Sequence, residues 1–187
     1  MIEITESQIN RVGAILAGVK NAHDIVFSNA VRRGLSAART EGKKAIRQTY
    51  NVKAKALSGF GKMKQKKKGD GIVGRIEIGG AVIPLIQFKV SPKEVNERKT
   101  VKAAVFRGGT GETIAQAYVT NLKGGIGVFE RLTSKRETSQ TFYGPSVAHM
   151  AENVNVLPRM EEIAQRTVNE RIEHEIGRIL NGYGGKK

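Results

Sequence analysis

The stretch "FYGPSVAHM" contains a serine and a histidine, two side-chain types that act as nucleophile and base in hydrolases. A nucleophile elbow has the pattern G-x-S-x-G, in which the second glycine permits close packing of strand and helix. Ala148 occupies that position here, and His149 follows Ser146 by only three residues, whereas a hydrolase base usually comes from elsewhere in the chain. We therefore interpret Gly144 and Pro145 as a turn that starts a helix, and we predict no catalytic site.

Two further kinds of chemistry find no support in the sequence. The glycine-rich stretch "RGGTGET" has the backbone freedom of a phosphate-binding loop, but it lacks the G-K-[ST] of a P-loop, and we predict a hairpin turn there. The chain has no cysteine, and its three histidines, His23, His149 and His174, have no metal-binding spacing. We expect a protein that is not an enzyme and that uses no cofactor or metal.

The charge of the chain is strongly positive and locally concentrated. The net charge is +15, and residues 31–75 hold fourteen Lys or Arg against two acidic residues, which gives +12 in this segment alone. Such a balance indicates an anionic partner. The apolar run at residues 12–19 is too short to span a bilayer and has no basic leader before it, so we expect a soluble, non-secreted protein without membrane contact.

The basic segment predicts a contact surface for a polyanion or an acidic partner. We expect the lysine-rich stretch "KMKQKKKGD" to be a loop or flexible arm. Such an arm can bind polyanions by releasing their counterions, and the alternative is a solvated linker without a partner. Aromatic residues for base stacking are missing from this region of the chain apart from Phe60, which precedes the stretch, and nucleic acid and acidic protein both stay open as partners. The predicted contact residues are Arg32, Arg33, Lys43, Lys44 and Arg47 on a helix, and Lys62, Lys64, Lys66, Lys67 and Lys68 in the stretch.

Helices are predicted at the start and at the end of the chain. Thr5 and Gln8 have the spacing of a capping box for a first helix. A long second helix is predicted by apolar or small residues at steps of three and four, with Arg and Lys on its other side. The final helix has an apolar stripe as well, and its glutamates (Glu161, Glu162, Glu170, Glu173 and Glu175), interleaved with arginines, predict a solvated face with i,i+4 pairs.

From Gly71 the pattern becomes that of strands. "GIVGRIEIGG" alternates apolar and polar residues, and "AVIPLIQFKV" is β-rich, with Pro84 marking an edge strand or a bulge. Short strands with tight turns favour antiparallel pairing. We predict an α+β fold with an antiparallel β-sheet flanked by a long N-terminal helix and C-terminal helices, with a basic loop or arm. We expect a single domain made of an N-terminal helical segment (1–60), a basic loop (61–70), the antiparallel sheet (71–140) and the C-terminal helices (141–187).

Several motifs, in this order and spacing, resemble one protein family. After the long helix come "YNVKAKAL", the lysine-rich stretch, "RIEIGGAVIPLIQF", "IAQAYVTNLKGGIGVFERL" and "FYGPSVAHM". Together they resemble the minor tail protein Z family of tailed bacteriophages and prophages, also called tail completion proteins. The resemblance extends over most of the chain, from about the second helix to the last.

The resemblance implies a structural virion protein without catalysis. It implies a tail completion or minor tail component in a homo-oligomeric ring at the tail or head–tail junction, with phage tail or neck proteins as partners and non-specific contact with DNA. The expected location is the virion tail, and the host cytoplasm during assembly. Because rings need heterologous contacts, an edge strand at "AVIPLIQF" is a reasonable place for another chain to add. The residues expected to form an assembly or fold corner are Ile83, Pro84, Leu85, Tyr143, Gly144 and Pro145.

Overall fold

The computed structural model describes residues 2–95, 100–122, 125–133 and 138–182. Helices and antiparallel strands form an α+β fold with a long N-terminal helix and a C-terminal helix, which confirms the predicted fold class. The helices are α1 Glu6–Ile15, α2 Ala22–Thr49, α3 Val147–Ala151 and α4 Leu157–Leu180. The described strands are β1 Ile2–Glu3, β2 Lys62–Lys68, β3 Gly71–Glu77, β4 Val82–Pro84, β5 Lys89–Ser91, β6 Val101–Ala104, β7 Glu112–Ile114, β8 Ala117–Leu122, β9 Gly125–Arg131, β10 Ser139–Thr141 and β11 Tyr143–Ser146.

The chain divides into two compact units. The first comprises Met1–Gly42, Gly61–Ile78 and Val156–Lys187, and the second comprises Lys43–Phe60 and Gly79–Asn155. The described strands form four small antiparallel sheets, whereas the sequence predicts one sheet, because most strands of the second unit are short and separated by turns. The single domain expected from chain length stays a prediction.

The helices of the first unit follow the sequence pattern closely. α1 begins at the predicted capping box, in which the Thr5 side chain accepts from the Gln8 main-chain N–H and the Gln8 side chain accepts from the Thr5 N–H. On α2 the predicted apolar stripe is buried, including Phe27, Val31 and Leu35. No helix in the described part of the chain is long and apolar enough to cross a membrane.

One glutamate of α4 departs from the predicted solvated face. Glu175 is only 1 % exposed, and its carboxylate accepts hydrogen bonds from Arg171, Arg178 and Asn29. At about 100° per residue, seven positions bring Glu175 to within about 20° of the buried Val168, so it lies in the middle of the apolar stripe. The solvated interpretation is therefore wrong for Glu175, because its arginine neighbours reach into the stripe and pair with it there.

The sheet of the first unit has the order β1-β3-β2, with both pairings antiparallel. Helix α2 packs directly against the centre of β3 at Gly74. A Cβ atom added at Gly74 would lie 2.4 Å from Val31 Cγ1 and 3.1 Å from Leu35 Cδ1. Only a residue without a side chain permits this approach of helix and strand.

The second unit contains the remaining sheets, with orders β10-β9-β8, β11-β4 and β5-β6-β7. The "RGGTGET" stretch forms the connection from β6 to β7 and the first two residues of β7, as the predicted hairpin requires. The β-rich run "AVIPLIQFKV" is interrupted, because the segment Leu85–Gln87 forms a 3-10 helix between β4 and β5. Pro84, with its fixed φ, precedes that helical turn.

Candidate functional site

The lysine-rich stretch that the sequence predicts as a loop or arm is a β-strand. β2 pairs antiparallel with β3 along its whole length, from Lys62 opposite Glu77 to Lys68 opposite Gly71. All seven β2 residues are exposed. The prediction of a loop is wrong because a strand at the edge of an antiparallel sheet can face water, so its main-chain hydrogen bonds hold it without apolar side chains to bury.

A tight turn fixes the register of this hairpin. Gly69 and Asp70 are the two loop residues between the paired Lys68 and Gly71. Gly69 has a φ of +58° and Asp70 has no positive φ, which is the pattern of a type II′ turn. The letters "GDG" before an alternating run were the sequence signal for this hairpin.

The side chains of β2 alternate between two environments. Gln65 and Lys67 lie on the side of α2, where Gln65 Nε2 donates to the Ser28 carbonyl at 3.3 Å and Lys67 Nζ donates to Asp24 Oδ2 at 2.8 Å. Successive strand residues point to opposite faces. The even-numbered lysines of β2 therefore lie on the face that points away from α2.

We call this outer surface the lysine face: Lys62, Lys64, Lys66 and Lys68 of β2 with Arg75 of β3. Ion pairs confirm the shared side for Lys64, Lys68 and Arg75, and the strand register places Lys62 and Lys66 with them. Lys64 Nζ lies 2.6 Å and Arg75 Nη2 3.1 Å from the carboxylate of Glu77. Lys68 Nζ lies 2.7 Å from the Glu3 carboxylate of β1. Lys66, opposite Val73, forms no ion pair with any described residue.

The cationic side chains of the lysine face lower the pKa of the neighbouring Glu77 carboxyl. The hydrogen bond from Lys64 holds the pKa of the Glu77 carboxyl below its usual range, and the positive charges of Lys64, Arg75 and Lys62 act in the same direction. Glu77 is thus a charged partner of the lysines at neutral pH. An open cavity of about 650 Å³ lies against this surface, lined by residues of β1, β2 and β3.

The structure brings together only part of the predicted contact set. Lys67 points to the other face of β2, as described above. Arg32 and Arg33 are exposed on α2 in the first unit. Asp24 and Ser28 of α2 contact β2, and Arg32 lies one helical turn further along the same side of the helix. Lys43, Lys44 and Arg47 lie in the part of α2 that belongs to the second unit. The lysine face is consequently the compact basic site of the first unit.

The two stretches predicted to form an assembly or fold corner are paired in the second unit. β4 and β11 form a two-stranded antiparallel sheet in which Tyr143 is opposite Pro84 and Gly144 is opposite Ile83. The next residue, Leu85, donates its main-chain N–H to the Phe142 carbonyl at 2.9 Å. Residues about 60 positions apart in the chain thus form one structural feature.

Gly144 and Pro145 do not form the predicted turn. They belong to β11, and the register shifts between Gly144 and Ser146, where Pro145 has no N–H to donate to the ladder. Gly144 lies against the ring of Phe88, whose Cε2 would be 2.5 Å from an added Cβ. The turn prediction is wrong because pairing with β4 keeps this segment extended up to the start of α3.

Ser146 has a structural partner. It is the N-cap of α3, and its Oγ accepts a hydrogen bond from the main-chain N–H of His149 at 3.2 Å. The His149 side chain is exposed. Within the described ranges, no group of three or more His, Asp or Glu residues converges to hold a metal ion.

No family model, curated protein or solved structure matches the chain.

Proposed function

We propose that this protein is a structural virion component of a tailed phage or prophage, a tail completion protein that assembles as part of a ring at the tail or head–tail junction. The observation that carries the proposal is the β4–β11 pair. Two of the motifs on which the resemblance depends, "IPL" and "YGPS", are separated in the chain and are hydrogen-bonded neighbours in the fold. This pairing supports the idea that the motifs define one structural unit.

The outer side of the β4–β11 pair has the character of a subunit contact. Val82 is 52 % and Tyr143 is 53 % exposed, and Pro84, which is opposite Tyr143, is exposed as well. The other side of the pair holds the buried Ile83. A closed ring requires a heterologous contact between unlike surfaces of neighbouring subunits. An apolar patch on a short two-stranded sheet is suited to one half of such a contact.

The test of this proposal is incorporation into particles. We expect mass spectrometry of particles from an induced culture of the source strain to find this chain at a low copy number relative to the major tail protein, consistent with one closed ring. A Val82→Asp variant supplied in place of the natural chain is expected to be incorporated at a clearly lower level, because it places a charge in the apolar patch.

Val154→Asp is the matched control. Val154 is an exposed valine of the same unit, 77 % exposed and outside the β4–β11 pair. This variant is expected to be incorporated like the natural chain. Absence of the natural chain from otherwise complete particles would contradict the proposal. If both variants were incorporated at the same reduced level, the β4–β11 patch would have no specific role in incorporation.

Sequence-neutral nucleic-acid binding is a second candidate function, and the lysine face is the observation that favours it. Five cationic side chains and the carboxylates of Glu77 and Glu3 share one surface of the sheet, which leaves an excess of three positive charges (five minus two) to neutralise phosphates. Lys43, Lys44 and Arg47 belong to the second unit and are not counted with this face.

The second candidate predicts a strong salt dependence. Each neutralised phosphate of duplex DNA contributes about 0.9 to the slope of log K against log salt. Replacing Lys62, Lys64 and Lys66 by glutamine is therefore expected to reduce the slope by about 3. A charge-matched control replaces Lys20, Lys55 and Lys89, which are exposed and outside β2. Fluorescence anisotropy of labelled duplex at several salt concentrations measures both slopes, and equal slopes for the two triple variants would exclude the lysine face as a DNA site.

A further inference from the structure

The outer edge of β2 is an open main-chain edge. In the order β1-β3-β2 the strand has a neighbour on one side only, and its seven residues are all exposed. Among the described residues, none outside β3 makes a main-chain hydrogen bond with β2. In an antiparallel pair, every second residue directs both its N–H and its C=O away from the partner strand. The edge therefore offers a row of unused donors and acceptors to an added strand.

The lysine face gives this edge a repeating charge. Lys62, Lys64, Lys66 and Lys68 follow each other at two-residue steps, about 6.6 Å apart along the strand. The alternate side chains of an added strand have the same repeat and would lie directly opposite these lysines. A second copy of β2 would place lysine opposite lysine, which is unfavourable. An acidic strand, in contrast, would pair at every step.

Two acidic residues beside the lysine face favour a protein partner over a nucleic acid. Glu77 and Glu3 lie on the same surface and pair with Lys64 and Lys68 at 2.6 Å and 2.7 Å. A nucleic acid lying across this face would bring its phosphates against both carboxylates. A strand that adds at the edge meets the lysines from the side away from β3, where Lys66 has no ion-pair partner among the described residues. The arrangement favours a peptide over a duplex.

We propose that the open edge of β2 binds an extended acidic segment of a partner protein as a fourth strand of the β1-β3-β2 sheet. Alternate Asp or Glu side chains of that segment lie on the lysine face. Its intervening side chains lie on the α2 side, where the partly exposed Met63 favours an apolar residue. The inference adds a class of partner to the proposed structural role and does not depend on it. Main-chain hydrogen bonds provide the affinity, and the charge repeat provides the specificity.

Three fluorescein-labelled peptides of about nine residues test the proposal by anisotropy. The first alternates glutamate with threonine and valine, the second has the same composition with its glutamates contiguous, and the third is the first with N-methyl groups on alternate main-chain nitrogens. We expect the alternating peptide to bind about tenfold more tightly than the other two, because only it matches the repeat and retains its N–H groups. Equal affinity of all three, or no binding of any, would overturn the proposal.

Amide hydrogen exchange provides the decisive readout. We expect exchange at alternate residues of β2 to slow when the alternating peptide is added, because their N–H groups become hydrogen-bonded. A DNA duplex of about 20 base pairs, which contacts side chains, is expected to leave these amides unprotected. If the duplex displaces the peptide and neither ligand protects β2, the surface is a simple electrostatic site and the strand-addition proposal is wrong.

A pair of charge-reversal variants controls for net charge. Lys66→Glu places an acid in the middle of the lysine face without breaking an ion pair with any described residue, and it is expected to weaken peptide binding about tenfold. Lys20→Glu makes the same charge change at an exposed position of the same unit outside the sheet, and less than a twofold effect is expected. Equal weakening by both variants would contradict the proposal. Incorporation into particles is scored separately, so a failure here is distinguishable from a failure of the structural role.

Discussion

Replacing Glu175 with alanine is expected to lower the free energy of unfolding by about 3 kcal/mol. The carboxylate accepts from Arg171 Nη2 and Arg178 Nη1, each at 2.9 Å, and from Asn29 Nδ2 at 3.1 Å. Removing it leaves two guanidinium groups and an amide facing each other inside the first unit. The value is at the lower end for a broken buried ion pair, since Arg178 is partly exposed and can turn to solvent. Urea unfolding followed by far-UV circular dichroism measures the change.

Glu170 of the same helix provides the control. It is 71 % exposed, and its i,i+4 partner Arg166 lies 3.9 Å away. Glu170→Ala is expected to change the free energy of unfolding by about 0.3 kcal/mol, as is usual for an exposed helical pair. If Glu175→Ala destabilised the protein no more than Glu170→Ala, the buried carboxylate would have no special role in joining α2 and α4.

Replacing Gly74 with alanine is expected to destabilise the protein by about 2 kcal/mol. The added methyl group would lie 2.4 Å from Val31 Cγ1, and the nearest Leu35 atom is at 3.1 Å. Both neighbours are fully or almost fully buried on α2, so they have little room to move. The helix must shift away from β3, and the same unfolding experiment measures the loss of stability.

The matched change is Gly177→Ala in α4. An added Cβ at Gly177 has no atom within 4 Å, and the residue lies within a helix. Alanine is favoured over glycine in helices, so this substitution is expected to stabilise the protein by about 0.5 kcal/mol. The two glycine-to-alanine substitutions should therefore have opposite signs, and a Gly74→Ala protein as stable as the natural one would contradict the close approach of α2 to β3.

The parts of the fold that follow a regular pattern were predictable from sequence. The Thr5–Gln8 capping box and the apolar stripe of α2 depend on local spacing alone, and both are present. Gly74 interrupts an alternating run, and a glycine within a strand indicates close backbone approach, but the sequence does not reveal which helix approaches. Two pairings, β1 with β3 and β4 with β11, join strands that are not adjacent in the chain, and no local pattern determines them.

The sequence predicted which residues make up the candidate site but not their secondary structure. The concentration of lysines identified the segment, but the lack of apolar residues in "KMKQKKK" led to a flexible loop instead of a strand. What makes it a strand is its pairing with β3 through the turn at Gly69 and Asp70. In the same way, the extended form of Gly144 and Pro145 depends on β4, which is distant in sequence. In both cases a partner strand overrides the local preference.

In the hairpin of β2 and β3, the side of the sheet on which the lysines lie depends on the number of residues between them and the turn. Because lysines occupy the even positions 62, 64, 66 and 68, one residue inserted between Lys68 and the turn would move all four lysines to the α2 side of the sheet. An insertion of two residues would leave them on the outer side and lengthen the strand. Insertions of an even number of residues therefore keep the lysines on the outer side, and insertions of an odd number invert which side of the sheet is basic.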